Sequence, residues 1–234
     1  MVGKIPLVLV PGLLCSADLW QAQVEALGDL AEPRVTEEHA RHDTMASIAT
    51  AILADAPTKF ALAGLSLGGR VALEIMRQAP DRVLRLALID TDARADTPEQ
   101  VERRQALMKL ARLGRFKGVT PRLLPLLIHH DRLDDAPLVE RIMQMAEAVG
   151  RDAFFRQQSA LISRIDSRPS LTAIHCPTLI VCGRQDQLTP LDRSEEMAAL
   201  IAGSRLQVVE DCGHLSTMER PEAVNAAMRD WLAS

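Results

Sequence analysis

The sequence contains no tyrosine, two tryptophans and four phenylalanines, so aromatic residues make up 3% of its 234 residues. A core must therefore be filled by Leu, Ile, Val, Met and Ala. This is feasible because hydrophobic residues form 47% of the chain and charged residues only 25%. Length and composition are typical of a globular protein with one main core.

Four other features are missing. No apolar run is long enough to span a bilayer, and Met1-Val2-Gly3-Lys4 leads directly into a strand pattern rather than a signal peptide. A net charge of −4 without a basic stripe argues against a nucleic-acid partner. We expect a cytoplasmic protein that binds neither membrane nor nucleic acid. The cysteines lack C-x-x-C spacing, which favours reduced thiols packed as small hydrophobes and no metal; they are Cys15, Cys176, Cys182 and Cys212.

Apolar strand patterns alternate with helical ones through most of the chain. Strands are predicted at 5–10, weakly at 34–36, from Lys59, and at 83–89, 177–182 and 206–209. This alternation predicts an α/β fold with a mostly parallel sheet covered by helices on both faces. Ligands bind such sheets at the carboxyl ends of the strands.

Residues 93–170 differ from the rest, because they show helical periodicity and no convincing strand. A capping box with proline at the first helical position, Thr97-Pro98-Glu99-Gln100, opens this block, and Gly150 is a predicted helix stop. We predict a core formed by 1–92 and 171–234, with 93–170 inserted as a helical cap. The cap holds 14 basic against 10 acidic residues, whereas the remainder holds 13 against 21. This contrast fits an acidic partner such as an acyl carrier, or equally a solvated face that packs on the core.

The central motif is Gly64-x-Ser66-x-Gly68, between the strand that starts at Lys59 and a helical pattern. A sharp strand-to-helix turn exposes one side chain, and small neighbours are needed where the two backbones approach. Ser66 would then stand at a helix N-terminus, which favours developing negative charge. These features suit a nucleophilic serine, although a glycine-rich turn alone would give the same pattern.

A nucleophilic serine needs a base, and the base needs an orienting acid. His214 follows the last strand and Asp186 follows the strand before it, so both are predicted at the same sheet edge as Ser66. Asp90 and Asp92 are the reserve candidates for the acid. The other histidines lack this context: His129 and His130 are predicted to lie on the cap surface or lining, and His39, His42 and His175 to be structural or superficial.

The turn at Ser66, Asp186 in G-R-Q-D-x-x-T-P and His214 in C-G-H-L-S-T-M-E resemble the α/β-hydrolase superfamily, in that family's order of Ser, Asp and His. The closest likeness is to compact carboxylesterases with a helical cap. The resemblance implies an oxyanion hole formed by the N–H groups of Leu67 and Leu13. Family members often carry His-Gly before the latter position, where this chain has Pro11-Gly12. It implies no cofactor and no metal.

The expected activity is hydrolysis of a small apolar or acyl ester, with a polyester as a further candidate substrate, through an acyl-enzyme. Thioesterase, lactonase, C–C bond hydrolase and perhydrolase activities use the same triad and stay open, as does a non-catalytic ligand receptor. Serine at the turn argues against dehalogenases and epoxide hydrolases of this fold. The chain is expected to be a monomer or a homodimer. The candidate substrate-binding residues are Leu14, Leu123, Leu127, Met143 and Phe154.

Overall fold

The computed structural model describes residues 3–114 and 116–234. The first two residues of the N-terminal segment discussed above, and Arg115 in the predicted cap, lie outside the described residues. The strands are β1 (Ile5–Val10), β2 (Ala31–Val35), β3 (Phe60–Leu65), β4 (Val83–Ile89), β5 (Thr178–Gly183) and β6 (Arg205–Val209). They form one sheet of order β2-β1-β3-β4-β5-β6 in which each neighbouring pair is parallel. The predicted α/β fold is confirmed.

The helices of the described residues lie between and after these strands. They are α1 (Gln21–Leu27), α2 (Met45–Asp55), α3 (Leu67–Gln78), α4 (Pro98–Leu113), α5 (Leu124–Leu127), α6 (Ala136–Ile162), α7 (Arg168–Leu171), α8 (Leu191–Leu200), α9 (Ser216–Glu219) and α10 (Pro221–Ala233), with 3-10 turns at Ala17–Trp20, Glu38–Ala40, Pro80–Arg82 and His130–Arg132. Thr97 forms the predicted capping box with Gln100. Ser16 caps the 3-10 turn Ala17–Trp20, because its side chain accepts from the N–H of Asp18.

Two apolar clusters cover the two faces of the sheet. Alternate side chains of β1 show the division, since Leu7 and Leu9 belong to one cluster and Val8 and Val10 to the other. The first cluster includes residues of α1 and α10 and the second includes residues of α2, α3 and α8. Strands buried on both faces read as continuous apolar runs, which is why β3 is apolar throughout.

The block between β4 and β5 is helical in its described part, which contains α4, α5, α6 and α7. Gly150 lies inside α6 with φ 82° and ψ 174°, so the helix is broken there at the predicted stop. Leu138, Ile142 and Phe154 of α6 join the first apolar cluster, whereas α4 has no buried residue. The division into a core and a separate cap stays a prediction.

No helix among the described residues combines the length and the apolar character needed to cross a bilayer.

Candidate active site

Ser66 occupies the turn between β3 and α3 with φ 55° and ψ −113°, a left-handed conformation that is rare for serine. A Cβ on Gly64 would lie 2.2 Å from the carbonyl oxygen of Gly68, and one on Gly68 would lie 2.0 Å from that of Val10. Side chains are therefore excluded at both glycines. The Ser66 N–H donates to the carbonyl of Ile89 at 3.0 Å, and its carbonyl accepts from Thr91 Oγ1 at 2.7 Å. These contacts hold Ser66 at the carboxyl edge of the sheet.

Asp186 and His214 form a buried pair at the same edge. The distance between His214 Nδ1 and Asp186 Oδ2 is 2.8 Å, and the two residues are 3% and 4% exposed. Asp186 Oδ1 also accepts from the N–H groups of Leu188 at 2.8 Å and Thr189 at 2.9 Å, and Oδ2 accepts from Thr189 Oγ1 at 2.6 Å. Because so many donors fix an ionised carboxylate, the Nδ1 of His214 carries a proton and Nε2 keeps the lone pair. A base needs this tautomer.

The charges of Asp186 and His214 shift the pKa values of both groups. Burial raises the pKa of Asp186, but the charge of His214 and the hydrogen bonds from His214 and Thr189 hold it below its ordinary value. Burial lowers the pKa of His214, but the charge and the hydrogen bond of Asp186 outweigh it, so the pKa lies above the ordinary value of 6.5. Asp186 is thus ionised at neutral pH and stabilises a proton on the imidazole.

If His214 is a base, its raised pKa fixes the acidic limb of the pH profile. Protonated His214 cannot accept a proton, so kcat/KM should fall as pH drops through a midpoint above 6.5. The profile should be measured between pH 5 and 9 on an activated ester. As a control, Asp186→Asn should move the midpoint down, because it removes the carboxylate charge. A midpoint at or below 6.5 in the wild type would contradict the assignment of the base.

Neighbouring elements anchor the loop that carries His214. The N–H groups of His214 and Leu215 both donate to the carbonyl of Leu127 at 3.0 Å. The buried carboxylate of Glu219 accepts from the N–H groups of Gly213 at 2.9 Å and His129 at 2.6 Å. Burial raises the pKa of Glu219 despite these donors. This role was not predicted from the sequence, although Glu219 belongs to the motif around His214.

The two predicted oxyanion donors lie at the start of α3 and in the loop after β1. Leu67 is the first residue of α3, where helix geometry leaves the N–H without an acceptor in the helix. Leu13 is half-buried and precedes Leu14, whose φ is 58° and whose N–H donates to Gln157 Oε1 of α6 at 3.0 Å. Gln157 fixes this loop from a position far along the chain and was not among the predicted site residues. The oxyanion role stays a prediction.

The predicted substrate-binding residues differ in their surroundings. Leu14 and Phe154 belong to the first apolar cluster, and Leu127 packs against it. Met143 is half-buried and Leu123 is 40% exposed. Phe154 also contacts Phe116 and Phe155, with ring centroids 5.3 Å and 5.8 Å away. Contact with substrate stays a prediction for all five.

Two groups of described side chains bring potential metal ligands within 4.8 Å of one another. In the first, Asp90, Cys182 and Asp186, the carboxylates already accept hydrogen bonds, and burial keeps Cys182 protonated by raising the pKa of its thiol. In the second, His129, His130 and Asp131, His129 Nδ1 accepts from the Asp131 N–H at 3.3 Å. We assign no metal to either group.

The strand order, the turn at Ser66 and the buried pair define a parallel α/β protein with its candidate site at the carboxyl edge of the sheet. The chain belongs to the α/β-hydrolase fold family, whose model matches residues 44–221. The relatives and solved structures that it resembles include several esterases.

A pimeloyl-(acyl-carrier protein) methyl ester esterase of Neisseria meningitidis serogroup A is 30% identical over 190 residues, 79% of this chain and 60% of the relative. The enzyme of that name from Vibrio campbellii is 27% identical over 97% of this chain and 94% of its own length. A thermophilic esterase from Thermogutta terrifontis matches with a TM-score of 0.88 and 31% identity, covering 99% of this chain and 90% of that one. The enol-lactonase of Burkholderia xenovorans, at 24% identity, shares the fold with a TM-score of 0.86 over 99% of this chain and 92% of its own. The chain is thus a member of the α/β-hydrolase fold family that is similar to esterases.

Proposed function

We propose that the protein hydrolyses carboxylic esters with Ser66 as nucleophile, His214 as general base and Asp186 as the acid that orients the base. The observation that carries this proposal is the buried 2.8 Å pair of His214 and Asp186 at the sheet edge that holds the Ser66 turn. Esterase relatives and the esterase structure support the same reaction.

The reaction takes two half-steps. Ser66 Oγ attacks the ester carbonyl carbon while His214 Nε2 takes the hydroxyl proton. The imidazolium then protonates the departing alkoxide, which leaves an acyl group on Ser66. Water attacks that acyl group, His214 takes its proton and returns it to Ser66, and the carboxylic acid is released. Asp186 stays ionised throughout and stabilises the imidazolium, as its lowered pKa requires.

The N–H groups of Leu13 and Leu67 are the proposed donors to the oxyanion. Donors of this kind act when charge develops, and each contributes about 3–4 kcal/mol to the transition state. A backbone donor is independent of side-chain identity, so Pro11-Gly12 in place of His-Gly is compatible with this role. The closely packed turn supports a fixed position for Leu67, because Gly68 leaves no space for a Cβ beside Val10.

The proposed substrate is an ester with an aliphatic acyl chain. Leu14, in the loop after β1, and Phe154, on α6, both belong to the first apolar cluster, which favours an apolar acyl group. A second candidate is a methyl ester on an acyl carrier. The names of the relatives favour this candidate. The excess of basic residues in 93–170 favours it as well, since an acyl carrier is an acidic partner.

A panel of p-nitrophenyl esters from acetate to palmitate tests the proposal. We expect turnover with a chain-length optimum, because an apolar pocket of limited depth selects one acyl length. Comparison of a free and a carrier-bound methyl ester of the preferred acid then tests the second candidate through the ratio of kcat/KM values.

Adding a thioester, a lactone and a C–C bond substrate to the panel separates the alternatives. Turnover of one of these without turnover of any p-nitrophenyl ester would contradict the carboxylesterase assignment. Thermal stabilisation by these compounds without turnover would indicate a receptor and contradict the proposal.

A further inference from the structure

Asp90 is a fully buried carboxylate at the carboxyl end of β4 that the proposed reaction does not use. Its φ of 43° places it in the left-handed region. Oδ1 accepts from the Gly183 N–H at 2.9 Å, and Oδ2 accepts from the Ser216 N–H at 3.2 Å. Oδ2 and Ser216 Oγ are 2.5 Å apart. A buried, strained residue with this many partners has a specific task.

The partners of Asp90 belong to the two loops of the proposed site. Gly183 lies three residues before Asp186, and Ser216 lies two residues after His214. One carboxyl group thus joins the acid loop to the base loop beneath the reacting pair. On the outer side, the N–H of Gln185 donates to the carbonyl of Cys212 at 2.9 Å, which joins the same loops near the surface.

The position of Asp90 creates an electrostatic problem. Carboxylate oxygens of Asp90 and Asp186 lie within 4.8 Å of each other, and both residues are buried. Two anions at this separation in the interior repel each other strongly. When His214 is neutral, as a base must be, it balances neither charge. Asp186 accepts the Nδ1–H of His214 and three further donors, so it is the carboxylate that ionises.

We propose that Asp90 is a positioning residue that holds a proton in the resting enzyme and joins the acid and base loops without adding a second charge beside Asp186. The inference rests on the proposed function for the roles of these loops. In this state Asp90 Oδ2–H donates to Ser216 Oγ, and the carboxyl oxygens keep their two N–H donors. Burial, and next the charge of Asp186, raise the pKa of Asp90 to about 8, which agrees with a retained proton.

Other titratable groups surround Asp90. Besides Asp186 and His214, they are the thiols of Cys182 on β5 and Cys212 after β6, both protonated at neutral pH because burial raises their pKa. Arg70 of α3 also acts on His214, but its own partner is Asp92 at 2.6 Å. None of these supplies a cation hydrogen-bonded to Asp90 among the described residues. The proton is what neutralises it.

Thermal unfolding of Asp90→Asn against wild type, between pH 4 and 9, tests the proposal. The pKa of Asp90 is about 8 in the folded protein and about 3.9 unfolded. Folded Asp90 therefore holds more protons than unfolded Asp90 between these values, and the wild type loses stability there as pH rises. Asparagine does not titrate, so Tm of the variant minus Tm of the wild type should increase from pH 4 to 8 and then level off. A flat or decreasing difference would overturn the proposal.

Asp92→Asn is the matched control. Asp92 is also buried, but Arg70 and Arg164 outweigh burial and lower the pKa of its carboxyl. Its folded form therefore holds fewer protons than the unfolded form, and the wild type gains stability as pH rises through the carboxyl range. The Tm difference for this variant should decrease only at the acidic end, near and below the unfolded pKa of about 3.9, and stay flat from there to pH 9, unlike that for Asp90→Asn.

If Asp90→Asn does not fold, infrared spectra of the wild type and of Ser216→Ala test whether Asp90 is protonated. A protonated carboxyl band should persist at pH 7 and shift in frequency when the Ser216 hydroxyl is removed. Absence of a band sensitive to Ser216 would overturn the proposal.

The kinetic constants kcat and KM distinguish a positioning role of Asp90 from a role in stability alone. Asp90→Ala breaks the link between the loops, and a misplaced base costs on the order of 10²-fold, so kcat should fall by this factor with KM unchanged. Asp90→Asn should restore most of kcat, since it keeps the shape without the charge. Equal losses in both variants would show that the charge is needed and would overturn the proposal. The Tm measurement needs no turnover, so it tests the proton on Asp90 even if the protein is not an esterase. Failure of the esterase assignment and failure of the proposal for Asp90 therefore give different results.

Discussion

Replacement of Ser66 by alanine is expected to lower kcat for ester hydrolysis on the order of 10⁶-fold, as loss of an activated serine does in other hydrolases. Without Oγ no acyl-enzyme forms, and His214 can only direct water at the ester. The fold should persist, because Ser66 is held through its N–H and carbonyl, which alanine retains. Initial rates on the preferred p-nitrophenyl ester, together with Tm, measure both effects.

Ser170→Ala is the matched control for this substitution. Ser170 is exposed on α7, and its hydroxyl bonds only locally, to the carbonyl of Ser167 at 2.8 Å. We expect wild-type kcat from this variant. Activity retained by purified Ser66→Ala at more than a few per cent of wild type would refute Ser66 as the nucleophile.

The second largest effect is expected from Asp186→Asn, a loss on the order of 10⁴-fold in kcat, because an amide favours the wrong imidazole tautomer. The Nδ2 group of asparagine is a donor and cannot accept the Nδ1–H of His214. The ring would then carry its proton on Nε2, where the base needs a lone pair. Steady-state kinetics on the alkaline plateau of each variant's own pH profile isolate this effect from simple titration of His214.

Two other Asp→Asn substitutions are the controls for Asp186→Asn. Asp192→Asn, whose side chain is 60% exposed on α8, should leave kcat unchanged. Asp90→Asn should retain most of kcat, as argued above. If instead Asp186→Asn is near wild type and Asp90→Asn is inactive, the acid follows β4 rather than β5.

The sequence allowed most strands to be predicted, because buried parallel strands read as uninterrupted apolar runs. The exception is β2, predicted at 34–36 and found at Ala31–Val35. Pro33 interrupts its pattern, yet it is tolerated because β2 is an edge strand that pairs with β1 alone. Whether a strand lies at an edge depends on the order of the sheet, which local patterns do not contain.

The candidate site divides in a similar way. Ser66, Asp186 and His214 were predicted because each follows a strand end in a local motif. Gln157 and Glu219 were missed, because their partners lie far away in sequence: Gln157 bonds to Leu14, 143 residues away, and Glu219 to His129, 90 residues away. Asp90 was foreseen as a reserve acid, but its link to both loops depends on the adjacency of β4 and β5.

The backbone bonds from His214 and Leu215 to Leu127, with Glu219 between Gly213 and His129, have a mechanical consequence. Because of these hydrogen bonds, a movement of residues 127–129 away from the sheet would also displace His214. This end of the helical block is therefore held in place by the loop that carries His214. At the other end, α4 has no buried residue and is attached through partly buried Met108 and Ala111, which pack against the first apolar cluster, and through the hydrogen bond from Arg104 to Gln158 Oε1 at 3.0 Å. If the helical block moves to admit a substrate, we expect the displacement to be larger at α4 than at residues 127–129.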